Sequence, residues 1–173
     1  MNAPVADSSA LRRAEERAWD VLAGVPDPEI PVLSLIDLGV IRHVRAGSGR
    51  AIEVGLAPTY SGCPATIVIR DSVSAALKSA EFTDVSVVEV LSPPWTSDWI
   101  SAAGRAKLER YGIAPPIESV ETPRHLWRAE PPIRCPRCRS ERTRETSRFG
   151  STPCKALHRC DDCLEPFEYF KCI

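Results

Sequence analysis

The spacing of apolar residues changes near the start of the chain, from a helix pattern to a strand pattern. In the first segment apolar side chains recur three or four residues apart, at Leu11, Ala14, Ala18, Val21 and Leu22. Such a stripe lies on one face of a helix, and Pro26 stops it. Two β-rich runs then flank a Gly-Ser-Gly turn, and Ile52, Val54 and Leu56 alternate with other residues as in a strand. The pattern predicts a helix followed by a β-hairpin.

A second helix and a third strand follow the hairpin. Apolar residues return to helical spacing at Ile69, Val73, Ala76, Leu77 and Ala80. The run VSVVEVL at 85–91 is rich in β-branched residues, which suits a strand. Helix, two strands, helix and strand together predict a small α+β sheet domain.

The rest of the chain divides into a helix, a proline-rich stretch and a cysteine-rich end. The helix is predicted to begin at Thr96 or Ser97, either of which can cap it, and to close at Gly112. Residues 113–132 contain five prolines and little periodicity, which is typical of a linker. A chain of 173 residues fits one medium domain plus a small module. The expected divisions are an α+β domain at 10–112, a linker at 113–132 and a second domain at 133–173.

The composition indicates a soluble cytoplasmic protein whose cysteines bind metal or do thiol chemistry. The opening residues MNAPVADSSA have neither a basic start nor an apolar stretch, and no later apolar run approaches the roughly 18 residues that cross a bilayer. The chain has seven cysteines. Disulfides are rare in the cytoplasm, so metal binding or thiol chemistry is favoured over a disulfide framework.

Four of the cysteines form a zinc-ribbon pattern. The pairs CPRC (135–138) and CDDC (160–163) are separated by 21 residues. Each C-x-x-C turn can aim two sulfurs at one ion, so Cys135, Cys138, Cys160 and Cys163 are predicted to hold one structural zinc. An iron–sulfur cluster also takes four thiolates and is the alternative. A segment of about 40 residues is too small for a stable core of its own, so the metal would supply much of its folding energy.

Three further residues lie close to the second cysteine pair. Cys154, His158 and Cys172 could each replace one of the four ligands. The simpler interpretation makes the two cysteines small buried apolar groups, and places His158 at the surface or beside the ligands.

The charges of the two halves differ in sign. Residues 134–173 carry nine Lys and Arg against six Asp and Glu, whereas the preceding residues carry 13 against 17. The arginines of RCPRCRSERTRETSR would suit a phosphate backbone, but Glu141 and Glu145 interrupt them. A solvated face or a protein-docking surface is therefore favoured, and the net charge of −1 argues against a dedicated nucleic-acid binder.

The remaining cysteine, Cys63, lies where a loop becomes the second helix, in the stretch TYSGCPA. The positive end of a helix dipole favours the thiolate form of a neighbouring cysteine. Pro64 suits an early helical position, Gly62 permits a tight turn, and Thr59 and Ser61 can cap the helix or bond the sulfur. Cys63 is thus a candidate reactive thiol, with a buried structural thiol as the alternative.

Two short motifs before this turn, DPEIP and DLG, together with GCP, resemble the iron–sulfur cluster assembly domain of bacterial and eukaryotic maturation factors. The matching positions are Asp27, Pro28, Glu29, Asp37, Gly39, Thr59, Gly62, Cys63 and Pro64. In that family the cysteine is implicated in handling metal or clusters. The resemblance implies a transient iron or cluster site at Cys63, for which Asp27, Glu29 and Thr59 are the further candidate residues. Asp27 and Glu29 stand in a proline-framed loop and could instead be simple turn and cap residues.

Two longer stretches restrict the resemblance to one family. PPWTSDWISAAGRAKLERYGIAPP and FGSTPCKALHRCDDCLEPFEYFKCI are similar to the PaaD family of bacterial phenylacetate degradation, and the similarity runs from about Leu11 to Ile173. Arg139 departs from the usual ribbon, which often has glycine after the first cysteine pair. The family is associated with the multicomponent phenylacetyl-CoA epoxidase, which has oxygenase and reductase subunits. The resemblance implies an accessory chain that binds those subunits and helps to build or repair an iron centre, and it leaves a homodimer open.

The sequence predicts no catalytic site. A di-iron centre would need Glu and Glu-x-x-His groups on several long helices, and the sequence has neither that set nor a dinucleotide fingerprint or P-loop. Two alternatives to a maturation factor stay open. One is an interaction subunit that stays bound to the epoxidase without thiol chemistry, and the other, less favoured, is a nucleic-acid-binding zinc ribbon.

Overall fold

The computed structural model describes residues 8–60, 62–117 and 132–172. The chain separates into two compact units, Met1–Trp95 and Thr96–Ile173. This division falls inside the α+β domain expected at 10–112, because the third helix belongs with the second unit. None of the helices in the described part of the chain combines the length and apolar composition needed to span a bilayer.

The first unit has the elements that the apolar pattern predicts. In chain order they are helix α1 (Ser8–Ala23), strands β1 (Ile41–Ala46) and β2 (Ala51–Leu56), helix α2 (Ala65–Ser79) and strand β3 (Asp84–Glu89). The strands form one sheet in the order β1-β2-β3. The predicted α+β class is confirmed.

The register of this sheet brings three loops to one edge. Strands β1 and β2 are antiparallel, with Ile41 opposite Leu56, whereas β2 and β3 are parallel, with Leu56 opposite Glu89. The start of β1 and the ends of β2 and β3 therefore share an edge. Hydrogen bonds of 2.8 Å from Ala57 N to Val40 O and from Val90 N to Leu56 O extend the pairing there. The loop that precedes Ile41 and the loops that follow Leu56 and Glu89 therefore all meet this edge.

The core of the first unit follows the predicted periodicities. Helix residues of one face and alternate strand residues are almost fully buried, including Ala18, Leu22, Ile52, Val54, Leu56, Val73 and Leu77. Burial of such a contiguous apolar cluster is the main contribution to the stability of a small domain.

In the second unit, the helix predicted from Thr96 or Ser97 to Gly112 is divided in two. Thr96 caps only a short 3₁₀ turn, Ser97–Trp99, by accepting a hydrogen bond from Asp98 N. A new cap, Ser101, then begins helix α3 (Ala102–Tyr111) by accepting from Gly104 N at 2.9 Å. Gly112 ends α3 with a φ of +94°, as the sequence predicts.

The cysteine-rich region forms a four-stranded sheet together with the residues that follow α3. Its strands are β4 (Ile113–Ala114), β5 (Thr143–Ser147), β6 (Lys155–Cys160) and β7 (Pro166–Phe170), arranged as β4-β7-β6-β5. The first two residues of the expected linker therefore belong to the sheet, where β4 runs parallel to β7. Residues 118–131 of that linker lie outside the described part. The sheet covers a small core of Ala114, Cys135, Ala156, Cys160, Phe167 and Tyr169.

Candidate functional site

The two cysteine pairs of the second unit meet at one point. The sulfurs of Cys135, Cys138, Cys160 and Cys163 all lie within 4.8 Å of one another. Cys135 Sγ is 3.7 Å from Cys163 Sγ, and Cys138 Sγ is 3.5 Å from Cys160 Sγ. Two of the side chains, Cys135 and Cys160, are completely buried, whereas Cys138 and Cys163 lie toward the surface.

Two similar turns aim these sulfurs. In the first turn, Arg139 N donates to Cys135 O and Cys135 N donates to Ser140 O, each at 2.9 Å. In the second, Cys160 N donates to Glu165 O at 3.0 Å. The residue after each pair is left-handed, with a φ of 64° at Arg139 and 63° at Leu164. Arg139 thus adopts the conformation that glycine usually supplies, and its departure from the ribbon pattern does not disturb the turn.

The four sulfurs fit a tetrahedral metal ion. Zinc–sulfur bonds of about 2.3 Å correspond to sulfur–sulfur separations of about 3.8 Å in a regular tetrahedron. The separations of 3.5 and 3.7 Å are close to that value. The backbone N–H of Cys163 donates to the sulfur of Cys160, and this hydrogen bond is the main reason that the pKa of Cys160 is lowered to about 7. A lowered pKa favours the thiolate form of Cys160. Desolvation and the neighbouring thiols raise the pKa of Cys138 and of Cys163, the latter to about 12, and a bound cation would favour the thiolate at all four positions.

The three alternative ligands lie outside this cluster. Cys154 is buried, and its sulfur is 3.1 Å from Thr152 Oγ1. Cys172 is exposed, and its sulfur is 3.2 Å from Tyr169 Oη. Within the described residues, the group of potential ligands contains the four paired cysteines and neither of these two.

His158 is buried in the ribbon core and does not lie at the surface. Its ring stacks on Phe167 and meets Tyr169 edge-on, with centroid distances of 5.7 and 5.5 Å. Neither ring nitrogen has a hydrogen-bond partner among the described residues. Burial lowers the pKa of His158, so the neutral ring is the favoured form.

Cys63 immediately precedes the capping position of α2, as the sequence predicts. Gly62 has a φ of +82°, and the backbone N–H of Cys63 donates to Tyr60 O at 3.2 Å. Pro64 is the capping residue and provides no side-chain hydrogen bond. The Thr59 side chain makes no hydrogen bond to another described residue, and Ser61 lies outside the described part. The Cys63 side chain itself is half-buried.

The acidic residues of the DPEIP and DLG motifs shape turns at the same sheet edge. Asp27 is buried, and its Oδ1 accepts the backbone N–H groups of Glu29 at 2.9 Å and Ile30 at 2.7 Å. Asp37 Oδ2 accepts the backbone N–H and the hydroxyl of Ser34, both at 3.0 Å. These contacts give Asp27 and Asp37 structural roles. The sheet register places their loop at the same edge as the Cys63 loop.

Exposed apolar side chains accompany Cys63. Ile67 is 70% exposed and Val68 is 51% exposed, both in the first turn of α2. Leu91, at the same sheet edge, is 64% exposed. Their exposure was not predicted, although Ile67 and Val68 fall outside the buried stripe of α2. A depression of about 400 Å³, lined in part by Ala46 and Asp84, lies at the opposite edge of the sheet.

Comparison with known proteins assigns both regions. The family model for the iron-sulfur cluster assembly protein matches residues 15–90, and the model for the PaaD zinc beta ribbon domain matches residues 119–171. The chain is 49% identical over 157 residues to a putative 1,2-phenylacetyl-CoA epoxidase subunit of Escherichia coli (strain K12), and the match covers 90% of this chain and 91% of that one. The chain belongs to the PaaD family. The resemblance seen in the sequence is therefore confirmed.

Two further similarities each cover little more than half of this PaaD family member. The Fe-S protein maturation auxiliary factor YitW of Bacillus subtilis (strain 168) is 32% identical over 95 residues, which are 54% of this chain and 92% of that protein. A domain of unknown function, DUF59, from Bacillus anthracis superposes with a TM-score of 0.55 at 24% identity, covering 59% of this chain and 97% of that structure. The latter similarity concerns the fold alone.

Proposed function

We propose that this protein is an accessory factor of a phenylacetyl-CoA epoxidase that helps to assemble or repair an iron or iron–sulfur centre of that enzyme. It would carry no catalytic site of its own. The observation that carries this proposal is the joining of an assembly-type domain to a PaaD ribbon in one chain. A relative that matches 90% of the chain is named as an epoxidase subunit, and two relatives that match about half of it are named as Fe-S protein maturation auxiliary factors.

Cys63 is the residue that would hold the cargo. Thiolates are the ligands that hold iron–sulfur clusters, and a half-buried cysteine at a helix start could take up iron or a cluster and pass it to the ligands of a partner. The first-turn residues Ile67 and Val68 support a protein client, because exposed apolar side chains beside a site favour docking of another chain.

The loop of the DPEIP motif, which contains Asp27 and Glu29, would have a different role from that of Cys63. The Oδ1 atom of Asp27 already holds the turn at Glu29 and Ile30, so Asp27 would keep the loop in shape. Glu29 is half-buried at the same sheet edge and is the acidic residue that we assign, with Thr59, to the surroundings of Cys63.

The ribbon would hold one zinc ion at its four cysteines. When bound, the ion cross-links the two turns that precede and follow the hairpin of β5 and β6. Because the core of the second unit is small, this cross-link would stabilise the surface that the ribbon presents to its partners.

A second candidate is an interaction subunit that stays bound to the epoxidase and does not use its thiol. The polar turn contacts of Asp27 and Asp37 favour it, because they explain both acidic motifs without any ligand. This candidate predicts a stable complex whose iron content does not depend on Cys63.

The test of the proposal is the iron content of purified oxygenase and reductase subunits made in cells with and without this protein. We expect iron or labile sulfide to be depleted in one of the two subunits when the protein is missing, and to be restored by its expression. Equal iron and sulfide content in both preparations would contradict a maturation role.

A further inference from the structure

The positive charge of the ribbon is largely neutralised by neighbouring carboxylates. Residues 132–172 carry nine Lys and Arg side chains, and six of them form ion pairs. These pairs are Arg134–Glu141, Arg137–Glu165, Arg139–Glu109, Arg142–Asp162, Arg144–Asp161 and Lys155–Glu168. Most of the arginines therefore present a mixed surface that attracts neither sign of charge strongly.

Of the other three cations, Lys171 contacts the turn between β5 and β6. Arg148, Arg159 and Lys171 form no ion pair with any residue that the structure describes. Lys171 Nζ donates to Arg148 O at 3.2 Å and lies 4.7 Å from the ring centroid of Phe149. Phe149 is 65% exposed. We call Arg148, Phe149 and Lys171 the basic-aromatic tip, because Arg148 and Phe149 lie at the turn between β5 and β6 and Lys171, directly after β7, contacts both of them.

Hydrogen bonds hold the backbone of this tip. Phe149 N donates to Ser147 Oγ at 3.2 Å, and Ser147 Oγ donates to Phe149 O at 2.8 Å. Gly150 N donates to Lys155 O at 2.8 Å, and Ser151 N donates to Glu168 Oε1 at 2.6 Å. A side chain at Gly150 would collide with that carboxylate, since an added Cβ would lie 2.7 Å from Glu168 Oε1. A surface that is already ordered loses little entropy on binding.

The chemistry of the tip selects its partner. An exposed aromatic side chain beside a cation is typical of an interface anchor, in which the ring is buried and the cation meets opposite charge. Nucleic acid would require a row of unpaired cations along a phosphate backbone, whereas the neighbouring arginines are already paired. Charge complementarity thus favours an acidic protein surface.

We propose that the basic-aromatic tip docks onto an acidic surface of an epoxidase subunit, with Phe149 as the apolar anchor and Arg148 and Lys171 as the charged contacts. This inference rests on the proposed function, because it names the surface through which the accessory factor reaches its client. It assigns the ribbon a task that is separate from cargo handling at Cys63.

The test is the affinity of the full zinc-loaded protein for purified oxygenase and reductase subunits, measured at low and at physiological salt. Phe149→Ala and Lys171→Glu should each weaken binding to one of them by roughly tenfold or more. Lys171→Glu should also reduce the dependence of the affinity on salt. The matched controls are Tyr111→Ala, which truncates another exposed aromatic residue of the same unit, and Arg159→Glu, which reverses the cation outside the tip that donates to Leu164 O and has no ion pair among the described residues. Both should bind like the wild type.

The possible failures are distinct. Binding by the wild type that neither tip variant weakens, with zinc content and circular dichroism unchanged, would overturn the docking surface and leave the proposed function standing. Binding of a DNA duplex that Phe149→Ala abolishes would also overturn it, in favour of a nucleic-acid site. If the wild type binds neither the oxygenase nor the reductase, both the docking surface and the proposed function are contradicted.

Discussion

The ammonium of Lys155 lies 2.8 Å from the carboxylate of Glu168 inside the ribbon, where the Lys155 side chain is 4% exposed and the Glu168 side chain 22%. The other carboxylate oxygen accepts the backbone N–H of Ser151 at 2.6 Å. The pair therefore ties the β5–β6 turn to strand β7. Removing one partner of a sheltered ion pair leaves an uncompensated charge, which typically costs about 3 kcal/mol or more.

Glu168 should make the second unit sensitive to acid. Burial alone would raise the pKa of Glu168, but Lys155 and Ser151 outweigh it, so the pKa is lowered. A carboxyl group whose pKa is lower in the folded than in the unfolded state stabilises the fold above its unfolded value, and this contribution is lost as the pH falls through the folded value.

The measurement is urea unfolding of the wild type and Glu168→Gln at several pH values. We expect the wild type to be more stable near neutral pH and its advantage to shrink below about pH 4.5. Both proteins have the same four cysteines, so proton competition for the thiolates affects them equally. A constant difference across the pH range would show that the charge of Glu168 does not contribute.

The four-cysteine cluster should contain about one zinc per chain. Replacing Cys138 or Cys163 by Ser should abolish stoichiometric zinc and unfold the ribbon, while residues up to Trp95, which form a separate compact unit, keep their structure. Metal analysis and hydrogen exchange would report both effects. Cys172→Ser is the control and should retain the metal. Visible absorption from bound iron and sulfide in the purified protein would contradict the zinc assignment.

Glycine should be required at position 55, because the ring of its cross-strand neighbour His43 occupies the space of a side chain. An added Cβ would lie 2.2 Å from His43 Cε1, so Gly55→Ala must displace the ring from its contact with Glu53, at 3.2 Å. We expect a loss of about 1–3 kcal/mol of unfolding free energy, as is usual for overpacking. His43→Ala should relieve most of that loss in the double variant. Strictly additive effects in denaturant unfolding would show that the two residues do not clash.

The periodicity of the sequence predicted the first unit well, because each of its elements has its own apolar pattern. The four-cysteine cluster could also be predicted from the sequence, because two C-x-x-C pairs at this spacing are typical of a metal site. The break between Trp99 and Ala102 was not predicted, because Thr96 and Ser101 are both good caps and only the extended backbone of Ile100 decides between them.

Long-range pairing accounts for what the sequence left unpredicted. The third helix belongs with the second unit because β4, directly after it, pairs with β7, and that pairing joins Ile113 to Glu168. The basic-aromatic tip has the same origin. Phe149 meets Lys171 only because β6 and β7 fix their register, so neither residue has a local signal in the sequence.

The central claim is that Cys63 handles iron or a cluster for the epoxidase. Serine has nearly the size of cysteine but is a poor ligand for soft metals, and the hydrogen bonds that shape the turn at Cys63 come from its backbone. Cys63→Ser should therefore retain the thermal stability of the wild type within a few degrees. Cys172→Ser, which changes an exposed cysteine outside the loop, is the matched control.

The most direct measurement is made on cells in which the Cys63→Ser protein is the sole copy and is present at wild-type levels. The epoxidase is purified from these cells, and its iron content, sulfide content and activity are measured. The maturation account predicts that one iron-containing subunit is depleted of its metal centre and that activity falls with it, while the Cys172→Ser cells are normal. Full iron, sulfide and activity in the Cys63→Ser cells would contradict the account and leave the protein as an interaction subunit.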